Sequence, residues 1–208
     1  MKDSSTSEYS LWLAPDEETA AYRQLQSAIS DLADAHHDAP VFEPHVTVVG
    51  GINDERDSLR DTLQTLGTHR APLEVAFESV RWSTTRYQCV FLLAEPTLEL
   101  FELHTSARDA TDVSNEAYYP HLSLLYSDMD LKRRREAAQS LDTVSLPSRM
   151  TCRTLKLVET AGSVPEWETI ASVALSDQDS VDHIDSRVIL SDGGEPNRTG
   201  RGASPKRW

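Results

Sequence analysis

Short apolar runs alternate with amphipathic stretches from Tyr9 to about Ser176. Tyr9 to Ala14 has the apolar and aromatic make-up of a strand. Beyond Pro15, Asp16 is placed to cap a helix in which Tyr22, Leu25, Ile29 and Leu32 recur at spacings of three and four. Val41 to Val49 predicts a second strand, closed by Gly50-Gly51. Asn53 then offers a cap for a helix with Leu59, Leu63 and Leu66 on one side and Gly67 as its stop. Strand-like runs follow at Leu73 to Trp82 and Tyr87 to Ala94, joined by Ser83-Thr84-Thr85-Arg86 as a hairpin connection. A helix over 97–110 carries Leu98, Phe101 and His104. A strand from Tyr119 to Tyr126, a basic helix near 129–141 and strands near 149–159 and 167–175 complete the set.

Strands that arrive in pairs with helices between them predict an α+β fold with antiparallel sheet, because a parallel sheet requires strict alternation of strand and helix. The order around Val41–Leu66 resembles that around Tyr119–Leu141: a strand bearing a histidine, a turn, then a helix. Two similar lobes facing each other are expected. Near Ser176 the composition changes to Asp, Ser, Gly and Arg, and Val188-Ile189-Leu190 is too short a patch to build a core. This predicts one two-lobed domain over 1–176 and a disordered tail over 177–208.

At 208 residues, with 38% hydrophobic and 26% charged residues, the chain has the make-up of a soluble globular protein. A formal net charge of −14 repels a phosphate backbone, so long nucleic acids are excluded as general partners and any nucleotide chemistry needs a local pocket. Cys89 and Cys152 have neither zinc-knuckle spacing nor the number expected of a disulfide scaffold, and read as buried free thiols. The first eight residues lack the apolar core of a signal peptide, and no run approaches a membrane span. A cytoplasmic monomer without cofactor or metal is expected.

The candidate chemistry lies in Phe42-Glu43-Pro44-His45-Val46-Thr47-Val48-Val49 and Tyr118-Tyr119-Pro120-His121-Leu122-Ser123-Leu124-Leu125. Each places Pro-His, an apolar residue and a hydroxyl after an aromatic. On a strand, positions i and i+2 share a face, so His45 with Thr47 and His121 with Ser123 each aim an imidazole and a hydroxyl the same way. Seven histidines in this composition give about one His-x-Ser/Thr match by chance, and His104-Thr105-Ser106 is that match, on a helix where i and i+2 diverge. The other two share a proline and a strand, which chance does not explain. Two imidazoles and two hydroxyls suit phosphodiester hydrolysis: one neutral ring takes a proton from water, the other, charged, protonates the departing alkoxide. Thr47 and Ser123 would hydrogen-bond the non-bridging oxygens, where charge must be held.

These motifs resemble the paired His-x-Thr/Ser signature of the 2H phosphoesterases. The chain is most similar to the cyclic phosphodiesterases of plants and yeasts, through Ser10-Leu11-Trp12-Leu13-Ala14-Pro15, both histidine segments and Tyr87-Gln88-Cys89-Val90. The resemblance spans about residues 8–175. It implies antiparallel sheets facing across a central cleft with helices outside, and hydrolysis of ADP-ribose 1″,2″-cyclic phosphate or of nucleoside 2′,3′-cyclic phosphates. It also places Trp12 and Tyr126 beside the base or adenosine moiety; for the proton transfer itself His121 is assigned as base and His45 as acid, a direction the motifs leave open. Simple alternation from His121 turns Tyr126 away from the cleft, so its role requires a bend after Leu125. An RNA end-processing relative and a nucleotide-binding module without turnover are the alternatives. His36, His37, His69 and His183 read as surface residues, and Arg133-Arg134-Arg135 as a solvated helix face or a basic edge. Arg81 and Arg86 are within reach of a phosphate only if the hairpin folds toward it.

Overall fold

The computed structural model describes residues 8–114 and 117–176, so the tail expected over 177–208 lies outside the described residues. The elements are β1 (Tyr9–Pro15), α1 (Ala20–Ala35), β2 (Val46–Ile52), α2 (Arg56–Gly67), β3 (Leu73–Trp82), β4 (Val90–Ala94), α3 (Leu98–Ala110), β5 (His121–Leu125), α4 (Leu131–Ser140), β6 (Arg149–Glu159) and β7 (Glu168–Ala174). Single 3-10 turns occupy Leu141–Thr143 and Val164–Glu166. No helix among the described residues is long and apolar enough to cross a membrane.

All strand pairings are antiparallel and run in the order β1-β2-β5-β4-β3-β6-β7. A further pairing of β1 with β6 closes the first six into a circuit. One group of strands, β2-β1-β6 with β7 added at the edge of β6, is covered by α2 and α3; the other, β5-β4-β3, by α4 and largely by α1. The long β6 serves both, pairing with β3 over Arg149 to Cys152 and with β1 and β7 farther on. This is the α+β, two-lobed arrangement expected, and each lobe contributes one histidine strand.

Several local expectations change. Thr19, not Asp16, caps α1: its hydroxyl accepts from the Tyr22 N–H at 3.1 Å, while the Asp16 carbonyl accepts from Thr19. Glu55 rather than Asn53 is the N-cap of α2. β2 does not stop at Gly50-Gly51 but continues to Ile52 through a bulge, where Gly51 takes φ +71. Gly67 is the last residue of α2, and its role is close approach: a Cβ there would sit 2.2 Å from Val173 Cγ1. Arg134 is neither solvated nor part of a basic edge. It is 4% exposed and donates to the carbonyls of Ser83, Thr85, Ser127 and Met129, tying the β3–β4 connection to the chain that leaves β5.

Candidate active site

The sequence brings the two motifs together through one register. Val46 of β2 pairs with Leu122 of β5, and both side chains are fully buried on the core side. Continuing that antiparallel register by one residue each way sets His45 across from Ser123 and Thr47 across from His121. All four point to the opposite face, with cross-strand neighbours typically about 5 Å apart at Cβ. A local two-fold passes through the Val46–Leu122 pair. The four side chains line one cavity of about 540 Å³.

Both histidines are oriented by the same local device. Proline restricts the residue before it to extended backbone, and the carbonyl of that residue then meets the imidazole two positions on. His45 Nδ1 donates to the Glu43 carbonyl and His121 Nδ1 to the Tyr119 carbonyl, each at 2.7 Å. A carbonyl only accepts, so Nδ1 carries the proton, and Nε2 of each neutral ring presents a lone pair.

The two rings differ in surroundings. His45 is 4% exposed, and Trp12 stacks on it with centroids 3.6 Å apart and planes within 8°. Tyr126 Oη donates toward His45 Nε2 at 3.4 Å, and Phe42 stacks on Tyr126 at 3.9 Å. Burial lowers the His45 pKa to about 4; the Glu43 carbonyl opposes the shift, and the charges of His121 and Lys156 add to it. His121 lies in a more open position with Phe91 edge-on at 5.3 Å, and burial lowers its pKa against the opposing Tyr119 carbonyl. Ser123 Oγ donates to the Tyr87 carbonyl at 2.7 Å, and a hydroxyl has one proton, so contact with a phosphate requires that it turn.

Tyr126 lines the same cavity for a reason visible in the β4–β5 ladder. Phe91 pairs with Ser123 but Val90 pairs with Leu125, so Leu124 is an extra residue, a bulge. It reverses the alternation: Leu122, Leu124 and Leu125 are buried in the core, and His121, Ser123 and Tyr126 line the cavity. Trp12 lines it too, yet is only 4% exposed with one face against His45. Tyr87, 48% exposed, and Trp167 are the cavity aromatics that the sequence reading did not single out. Their rings lie 5.8 Å apart. Trp167 follows the Ser163–Glu166 capping box, and an aromatic placed by so well-specified a turn was the available signal. His104 is a satisfied core histidine, bonded to the Val48 carbonyl at 2.8 Å and stacked on Tyr118. Arg86 pairs with Asp128. A second hollow of about 690 Å³, near Thr65 to Glu74, contains His69 but neither motif.

Over residues 8–175 the sequence matches the cyclic phosphodiesterase-like protein family. The chain belongs to that family. Among its relatives, the cyclic phosphodiesterase of Arabidopsis thaliana is 30% identical over 171 residues, covering 78% of this chain and 92% of the relative. The 2′,3′-cyclic-nucleotide 3′-phosphodiesterase of Yarrowia lipolytica is 24% identical, covering 77% and 96%. The crystal structure of E. coli LigT complexed with 3′-AMP superposes with a TM-score of 0.57 at 12% identity, covering 82% of this chain and 99% of LigT, a likeness of fold. As a cyclic phosphodiesterase-like protein with this fold, the chain is a 2H phosphoesterase, a hydrolase whose two motif strands meet at the Val46–Leu122 pair.

Proposed function

We propose that the protein hydrolyses cyclic phosphate diesters of nucleotides, nucleoside 2′,3′-cyclic phosphates or ADP-ribose 1″,2″-cyclic phosphate, by acid–base catalysis between His121 and His45. The observation that carries this reading is the Val46–Leu122 pairing, which joins the two motif strands, with His45, Thr47, His121 and Ser123 all lining one cavity. His121, on the open side, takes a proton from water at Nε2 as the water oxygen bonds to phosphorus. The bond to the ring oxygen breaks on the opposite side, and His45 Nε2–H gives its proton to the departing alkoxide. The product is a 2′- or 1″-phosphate monoester. Thr47 and Ser123 hold the non-bridging oxygens as charge builds there.

His45 must bind a proton for this, against the burial that lowers its pKa to about 4. Two features supply the compensation: the negative charge of the bound diester and the face of Trp12, whose quadrupole attracts an imidazolium. Trp12 is therefore read as acting on His45 first, and the exposed Tyr87 with Trp167 as the base-stacking surface, with Tyr126 closing the side between them.

The test is turnover of adenosine 2′,3′-cyclic phosphate in the presence of a chelator. His45→Ala and His121→Ala should each lose about two to four powers of ten in rate. Activity persisting in either variant defeats the assignment, and tight nucleotide binding without turnover favours a binding module.

A further inference from the structure

The cavity is poor in positive charge. Its lining contains one carboxylate side chain, Glu8, and neither lysine nor arginine among the described residues. The neighbouring cations are each held by a carboxylate of their own. Lys156, across from Trp12 in the β1–β6 register, binds Glu43 at 2.6 Å. Arg86, between Thr85 and Tyr87, binds Asp128. Arg56 binds Glu159, the residue before Thr160, at 2.5 Å.

The position of Glu8 follows from strand geometry. The β1 face that meets the cavity runs Trp12, Ser10 and then Glu8 just before the strand, so Glu8 is four residues, roughly 13 Å, from the ring that stacks on His45. Thr160 donates its N–H to the Glu8 carbonyl at 2.7 Å, and the Thr160 and Ser10 hydroxyls lie 3.3 Å apart. That end of the cavity presents a carboxylate and no lysine or arginine among the described residues.

We propose that this cavity selects cyclic-phosphate nucleotides whose only charge is the reacting diester, and that Glu8 acts against a second phosphate. The inference rests on the cyclic-phosphate reading above. A cyclic diester carries one negative charge, which the protonated member of the histidine pair balances. A 5′-phosphate or a pyrophosphate adds charge that meets a carboxylate, a cavity lining without lysine or arginine among the described residues, and the field of a chain of net charge −14. Nucleoside 2′,3′-cyclic phosphates with a free 5′-hydroxyl therefore rank above ADP-ribose 1″,2″-cyclic phosphate and above phosphorylated oligonucleotide ends.

The experiment compares adenosine 2′,3′-cyclic phosphate with its 5′-phosphorylated counterpart, which share base and reacting group. The 5′-phosphorylated compound should show kcat/KM lower by about tenfold or more, chiefly through KM, and added salt should shrink the gap. Glu8→Lys should narrow it to a few-fold. Equal or better turnover of the 5′-phosphorylated compound overturns the inference, and an unchanged gap in Glu8→Lys removes Glu8 from it. Turnover of neither compound defeats the cyclic-phosphate reading, and this inference with it.

Discussion

His45 shows how one buried side chain couples protonation to stability. Its ring is buried and neutral, with the pKa lowered from 6.5 to about 4, so the unfolded chain binds the proton more readily than the folded one. Stability is then fully present above about pH 6.5 and is lost as pH falls toward 4, by up to about 3 kcal/mol for this group. His121 is shifted in the same direction and adds to the slope. In His45→Gln the residue contributes no such term, so chemical denaturation at pH 7 and pH 4.5 should show a smaller acid loss for the variant than for the parent. An identical loss in both would mean that His45 is protonated readily in the folded protein.

Among the elements, what the sequence made legible and what it hid divide along physical lines. The histidine pairs, the strand at Leu73–Trp82 and the helix near 97–110 follow from alternation and spacing, both local signals. The cap of α1, the continuation of β2 through its glycines and the burial of Arg134 depend on partners remote in the chain, which no window of neighbours contains. The same applies to the site: His45, Thr47, His121 and Ser123 share one visible motif, whereas Tyr87 and Trp167 reach the cavity through tertiary packing. Tyr126 depends on a single inserted residue, Leu124, that alternation cannot foresee. Gly67 gives a quantitative case. On helix propensity alone Gly67→Ala should stabilise α2, yet the new methyl would lie 2.2 Å from Val173 Cγ1. The expected net loss is about 1–3 kcal/mol by denaturant titration, relieved in part by adding Val173→Ala. Stabilisation by Gly67→Ala alone would show that β7 yields easily.

For the molecule as a whole, the circuit of pairings has a thermodynamic consequence. β6 belongs to both lobes, and β1 is paired on both edges, so neither half keeps a complete ladder if the other melts. The described residues should therefore unfold in one transition, with calorimetric and van't Hoff enthalpies equal. Two resolved transitions would mean that the lobes are separate folding units. Many of the pairings join residues far apart in sequence, such as Tyr9 with Glu159, which places folding toward the slow end for a chain of this size.

The rung formed by Val46 and Leu122 has a further consequence, because among the described residues it alone pairs β2 with β5. Widening it slightly, for instance by a bulkier side chain on the core side, would pull each imidazole off the hydroxyl it faces while every helix kept its place. Such a variant would have an unaltered circular dichroism spectrum and a dead active site, and faster amide exchange at those two positions would mark the cause.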